Sequence, residues 1–259
     1  MAITIRRMER SDLSVCADIA DAAFHADELF SRIYTRYHEF PTECRAWWLT
    51  RLKQRIVEPQ TIALVAEEAS DKDSIPTTKK EVVGFAVYLR LGKDARAQEM
   101  LRKDTLLNSK CLSLPIREIE NLFFFSRRCS CGLELERYLL SWDLYYLDII
   151  SHTDRDALKK FRDTHYETFT PLEASGCWYL ANLAVPPTHQ RRGIGGTLLT
   201  WGTNTATKDR LPIALEASAM GRGVYMKHGF KVVERQQLLE GLEGVAMIWE
   251  HGKGGEQQS

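Results

Sequence analysis

The chain has 259 residues, 44% of them hydrophobic, enough for one sizeable core and pointing to one elaborated domain over residues 1–250 rather than two. Lys plus Arg equals Asp plus Glu at 35 each, so a formal charge of zero offers no footprint for nucleic acid or an anionic membrane surface. The six cysteines, whose closest pair Cys129 and Cys131 is one residue short of a zinc-type CxxC, read as free thiols of a reducing compartment. The start turns polar at Arg6 and no run nears the roughly 18 apolar residues of a membrane helix, so the expectation is a soluble, cytoplasmic protein.

In chain order, Ile3 and Ile5 alternate with polar residues as a short strand. Ser11-Asp12 then caps an apolar-periodic helix carrying Leu13, Cys16, Ile19, Ala20 and Ala23. A second helix follows Pro41, with Thr42 as its expected cap and Trp47, Trp48, Leu52 and Ile56 along it, ending near Pro59. Thr61 to Ala66 and Val82 to Leu89 read as a hairpin whose polar loop runs from Ser70 to Lys80. From about 92 to 176 the pattern loses its clear period, with Phe123-Phe124-Phe125, Trp142, Tyr145-Tyr146 and a helix expected from Asp154 to about Thr168. Those aromatics suit either a pocket or plain core, and core is the commoner use.

Trp178 to Val185 is an apolar run of strand length stopped by Pro186-Pro187, which cannot donate to a ladder. Beyond it Ile194, Thr197, Leu198, Trp201 and Thr205 fall on one helix face. Pro212 to Ala217 reads as a strand, and Gly221 to His228 as a short helix closed by a left-handed Gly229 with Phe230 packing back. Phe230 to Val233 and Gly244 to Trp249 read as a final strand pair, and 251–259, rich in Gly and Gln, as a disordered tail.

The chemistry concentrates at Gln190-Arg191-Arg192-Gly193-Ile194-Gly195-Gly196-Thr197, a glycine-rich turn between a strand and a helix start. Such a start presents unpaired N–H donors and the positive end of the dipole, and glycines let an anion reach the backbone. The ligand so described is phosphate-bearing. A P-loop is excluded because Thr197-Leu198 stands where Gly-Lys-Ser/Thr requires its lysine; a dinucleotide fingerprint stays open as the poorer fit, because Leu198 occupies a small-residue position although Glu216 lies about 20 residues on. His152, His165 and His189 lack metal-ligand spacing and read as surface or packing residues, so no metal is expected.

The pattern Gln-x-x-Gly-x-Gly after the strand Leu180 to Pro186 resembles motif A of the GNAT superfamily of N-acetyltransferases, and Gly223 to Phe230, with Tyr225 four residues before Gly229-Phe230, resembles its motif B. The resemblance covers roughly residues 2–90 and 177–250, whereas 92–176 is far longer than the connection usual in the family. It implies an α/β (α+β) fold: a mixed, largely antiparallel sheet splayed at its centre and flanked by helices. It also implies acetyl-CoA as acyl donor, with pantetheine on the backbone of Leu183, Ala184 and Val185, the Val185 N–H polarising the thioester carbonyl, and pyrophosphate on backbone N–H groups from Arg191 through Thr197. Gln190 belongs to the same motif. Tyr225 is the implied general acid. Where some members carry a basic glutamate this chain has Tyr179, which leaves Glu216 as the nearest acidic alternative, equally compatible with a structural carboxylate. The implied reaction is direct attack by a primary amine, on a small molecule or a peptide, in a monomer or homodimer. A non-catalytic acyl-CoA sensor and, more remotely, a dinucleotide-dependent oxidoreductase are the alternatives.

Overall fold

A computed structural model describes residues 2–69 except 26, 34 and 36–38, residues 80–100 except 96, residues 154, 156, 157, 159, 160 and 164, and residues 166–252. The elements are β1 (Ile3–Arg7), α1 (Leu13–Phe24), α2 (Phe30–Ile33), α3 (Pro41–Val57), β2 (Thr61–Ala69), β3 (Lys80–Leu91), α4 (Thr170–Ser175), β4 (Cys177–Ala184), α5 (Ile194–Asp209), β5 (Ile213–Ala217), α6 (Ala219–Lys227), β6 (Lys231–Leu239) and β7 (Leu242–Trp249). The seven strands form one sheet in the order β1-β2-β3-β4-β5-β7-β6. Every pairing is antiparallel except β4 with β5.

Both faces of the central strands are covered, so alternation decides which helix each residue meets. Leu64 and Ala66 join Ala86 and Tyr88 under Ile194, Leu198, Leu199 and Ala206 of α5. Ala63 and Val65 join Phe85 and Val87 under Cys16, Ile19 and Ala20 of α1 and Trp48 and Leu52 of α3. Leu198 is fully buried, and truncating such a leucine to alanine costs about 2–5 kcal/mol. Gly202 lets α5 settle on the sheet, because a Cβ there would lie 2.3 Å from the Tyr88 hydroxyl, which itself donates to Leu198 O at 3.2 Å.

Several boundaries depart from the pattern-based expectation. Pro41, not Thr42, opens α3: it occupies the first turn, where its missing N–H costs nothing, and Phe40 is the cap position. The last hairpin runs further toward its turn than expected, to Leu239 on one strand and from Leu242 on the other. β6 is an edge strand with one open face, and its inward positions Glu234 and Gln236 are polar, which hides the apolar alternation. Glu234 is polar for a reason: its carboxylate accepts from Thr168 N at 3.0 Å and Thr168 Oγ1 at 2.8 Å. The helix expected from 154 to 168 is not continuous. Asp154 Oδ1 accepts from Asp156 N and Ala157 N, residues 156, 157, 159 and 160 are helical, but 164 and 166 are not and Glu167–Phe169 form a 3-10 turn.

The long segment beginning at 92 leaves and rejoins the sheet at one rung. Leu91 pairs with Cys177, and a Cβ on Gly92 would lie 2.6 Å from Gly176 Cα. Both glycines have positive φ, and neither has room for a side chain beside the Arg90 guanidinium. Arg90 is 1% exposed and bonds Leu91 O, Cys177 O and the Asp94 carboxylate, closing the neck. Phe123, Phe124, Phe125, Trp142, Tyr145, Tyr146, Cys129, Cys131, His152 and His165 lie outside the described residues, as do the loop 70–79 and the tail 253–259. Cys16, Cys44 and Cys177 are buried free thiols.

Candidate active site

β4 and β5 pair over only two rungs, Trp178 with Ile213 and Tyr179 with Ala214. Beyond them β4 bulges: Tyr88 faces Leu180 and Val87 faces Asn182, so Ala181 is the extra residue. β4 then stays with β3 as far as Ala184, while β5 stays with β7 through Ala217. The strands part, and a cleft of about 960 Å3 fills the opening.

One side of the cleft is formed by Leu183, Val185, Gln190, Arg191, Gly193, Ile194, Gly195 and Gly196. Gln190 Nε2 donates to Val185 O at 3.1 Å and ties the loop to the strand end. Arg191 (φ 61) and Gly193 (φ 82) are left-handed, and this turns the chain sharply into α5. The first intrahelical bond is Thr197 N to Gly193 O at 3.0 Å, and no side chain caps this end. The N–H groups of Ile194, Gly195 and Gly196 therefore have no partner within the helix. Three predicted residues are placed differently. Arg192 turns away to Glu68 at 2.5 Å, Thr197 gives both its N–H and its hydroxyl to Gly193 O, and Ala184 packs toward α1. None of the three lines the cleft, so the free donors narrow to the three residues that open α5.

The glycines of the turn have distinct physical roles. Gly193 needs its positive φ and has open space around it; a Cβ on Gly195 would only touch Leu183 at 3.9 Å. A Cβ on Gly196 would meet His228 Nε2 at 2.9 Å. The His228 ring is itself held by a 2.8 Å hydrogen bond between Nδ1 and Val224 O, so α5 and α6 meet at this glycine.

The same cleft is lined by Tyr225 and Glu216. Ser218 caps α6 by accepting from Gly221 N at 3.2 Å, and Gly221 leaves space for the Tyr225 ring, whose Cε2 would be 2.9 Å from a Cβ there. Tyr225 is 8% exposed, and its hydroxyl bonds to none of the described residues. Burial, then the Asp27 charge, raise its phenol above the ordinary range, so it remains protonated at neutral pH. Glu216 Oε1 accepts from Tyr166 Oη at 2.9 Å. Burial raises the Glu216 carboxyl, the Tyr166 bond lowers it, and the Asp27 charge raises it. Tyr179, at the point where the strands part, is likewise raised by burial and then by Glu216.

Asp27 is the residue that sequence reasoning missed. It sits in the turn after α1, lines the cleft, and is held above the usual carboxylate range by burial, against hydrogen bonds from Leu29 N and Phe30 N. Nothing in Ala26-Asp27-Glu28 marks it in sequence, since an acidic pair after a helix is an ordinary solvated turn. His189 is half-buried at the cleft edge. Among the described residues no three His, Cys, Asp or Glu side chains converge as a metal site, and no helix is long and apolar enough to cross a membrane.

Residues 165–251 match the family model of an acetyltransferase (GNAT) domain. Among solved structures, the chain is similar in fold to a histone acetyltransferase HPA2 and related acetyltransferase from Corynebacterium glutamicum, at 19% identity, 96% of each chain covered and a TM-score of 0.53. Weaker likenesses are to PaiA N-acetyltransferase from Thermoplasma acidophilum in complex with coenzyme A (15%, 97% of this chain and 100% of that one, TM-score 0.49) and the ribosomal-protein-S18-alanine N-acetyltransferase from Escherichia coli (12%, 100% and 99%, TM-score 0.43). No curated protein matches the chain. The matched residues run from before α4 to the end of β7 and take in β4, the strand at which the sheet parts.

Proposed function

We propose that residues 1–250 act as one domain that moves an acetyl group from acetyl-CoA to a primary amine by direct attack. The observation that carries this reading is the parting of β4 and β5, which puts the free donors of α5 and the unpaired Tyr225 hydroxyl in one cleft.

In this reading the N–H groups of Ile194, Gly195 and Gly196 bind the pyrophosphate at the positive end of α5, with Arg191 adding charge at the rim and Gln190 bracing the turn. The backbone of Leu183 and Val185 holds pantetheine. The Val185 N–H stabilises negative charge growing on the thioester carbonyl oxygen. Glu216 takes a proton from the incoming amine, directly or through water, and Tyr225 gives its proton to the departing thiolate. The acceptor is a small-molecule or peptide amine.

The test is thiol release from acetyl-CoA across a panel of amines, beside thermal shift with acetyl-CoA and with NAD. Release with at least one amine, and stabilisation by acetyl-CoA alone, are the expected results. Stabilisation by acetyl-CoA with no release would favour a sensor, and stabilisation by NAD would overturn the reading.

A further inference from the structure

Across the cleft from α5 stands a wall built by the end of α1, the turn after it and α3. Phe24 stacks on Trp48 at 4.9 Å, Phe30 lies 5.3 Å from Phe24 and 5.2 Å from Trp48, and Trp47 meets Trp48 edge-on at 4.9 Å. All four rings line the cleft. Asp27 is fixed between the two phenylalanines. Its N–H donates to Phe24 O at 2.9 Å, and its Oδ1 accepts from Leu29 N at 2.9 Å and Phe30 N at 3.3 Å.

The other charged groups of the cleft are largely committed. Arg55 pairs with Glu58 at 2.7 Å, Arg51 donates to Gln54 at 2.6 Å, Glu28 accepts from Ala219 N at 2.6 Å, and Glu243 pairs with Arg235 at 2.6 Å. Among the described residues, Asp27 and Glu216 form no ion pair. Burial disfavours charge on both, and each sits where a cation would offset that cost. Tyr225, 8% exposed, lines the same cleft and feels the Asp27 charge.

We propose that the acceptor is a primary amine that carries an aromatic ring and arrives as an ammonium ion, the ring against Phe24, Phe30 and Trp47 and the ammonium beside Asp27. This rests on the acetyl-transfer reading above. Aromatic faces attract both another ring and a cation, and a fixed carboxylate at their edge orients the amine. A polyamine would set a second charge against the apolar wall, and a free amino acid would bring its carboxylate toward Asp27 and Glu216. The ammonium gives one proton to the Glu216 carboxylate. The N–C bond then forms as C–S breaks, the sulfur takes the Tyr225 proton, and the nitrogen returns a proton to that phenolate.

Two sources share this chemistry, a free arylalkylamine and a peptide whose first residue is aromatic. The experiment compares thiol release with phenethylamine, tryptamine, a Phe-first tripeptide, an Ala-first tripeptide, spermidine and glutamate. At least one aromatic amine is expected to exceed the others tenfold or more in kcat/KM, and the two aromatic arms separate the sources. Asp27→Asn keeps the oxygen that Leu29 and Phe30 bond, removes the charge and leaves an amide that can still pair with the Ser218 side chain. It should raise the amine KM at least tenfold and leave the acetyl-CoA thermal shift in place, as should Trp47→Ala at its half-buried position. Preference for spermidine, glutamate or the Ala-first peptide, or an unchanged KM in Asp27→Asn, overturns the inference while acetyl transfer stands. No release and no acetyl-CoA shift overturns both.

Discussion

The Tyr166 hydroxyl donates to Glu216 Oε1 at 2.9 Å, so the carboxylate of β5 is held by the returning end of the long segment between β3 and β4. Tyr166 is 4% exposed and packs with Phe169, Ala214 and Ala246 in a core of their own. Gly244 makes the contact possible, since a Cβ there would stand 2.3 Å from that hydroxyl.

Removing the bond takes away the one interaction that favours ionised Glu216. With Glu216 as the base proposed above, Tyr166→Phe should therefore move the acid limb of kcat/KM to higher pH, because a base acts only when ionised. Asp27→Asn should move it to lower pH by removing a neighbouring negative charge. Stability carries the matching sign. With its folded pKa above the unfolded one, Glu216 disfavours the folded state increasingly as pH rises through that interval. Urea midpoints of Glu216→Gln should lose that part of the pH slope.

Tyr225→Phe removes a proton donor and no packing volume. kcat should fall about 10²-fold, at the lower end of general acid effects, while acetyl-CoA still stabilises the protein in a thermal shift. An unchanged kcat would return Tyr225 to a packing role.

Gly196→Ala drives a Cβ to within 2.9 Å of His228 Nε2 and forces the ring off Val224 O. A loss of about 1–3 kcal/mol in urea unfolding is expected, the usual scale for overpacking. In a His228→Ala background the same substitution should cost much less. Equal costs in both backgrounds would mean that the helices do not meet at this point.

At the other end of the sheet, Arg6 bridges Asp12 at 2.6 Å and Glu67 at 2.8 Å, and Asp12 Oδ2 also accepts from Glu9 N at 2.8 Å. The Arg6 bond holds the Asp12 carboxyl below its ordinary range. Asp12 thus contributes stability above its unfolded pKa and loses it as pH falls through the folded value. Asp12→Asn should cost about 1–3 kcal/mol at neutral pH and flatten the acid side of the stability curve, read from urea midpoints between pH 2 and 7.

Elements with one apolar period were legible in sequence: α1, α5 and the apolar cores of β2 to β5 follow from residue spacing, and the β4-turn-α5 unit follows from Pro186-Pro187 and the glycines after them. β6 was cut short because Glu234 and Gln236 break its alternation for contacts made far along the chain. The placement of Arg192 was hidden for a similar reason, since its partner Glu68 is 124 residues away. Asp27, in the turn after α1, and Glu216, in β5, line one cleft although nearly 190 residues separate them, and no local pattern encodes that.

The neck at Gly92 and Gly176 bears on how such a chain can change. Because Leu91 and Cys177 face each other across the ladder, residues added to or removed from the segment between them shift no pairing of β3 with β4. The strands and α5 keep their register whatever the length of that segment, while its returning end stays tied to the sheet through Tyr166 and Glu216. Arg90 acts as the clasp of that arrangement, and a lineage carrying this fold can lengthen or shorten the segment without rebuilding the sheet.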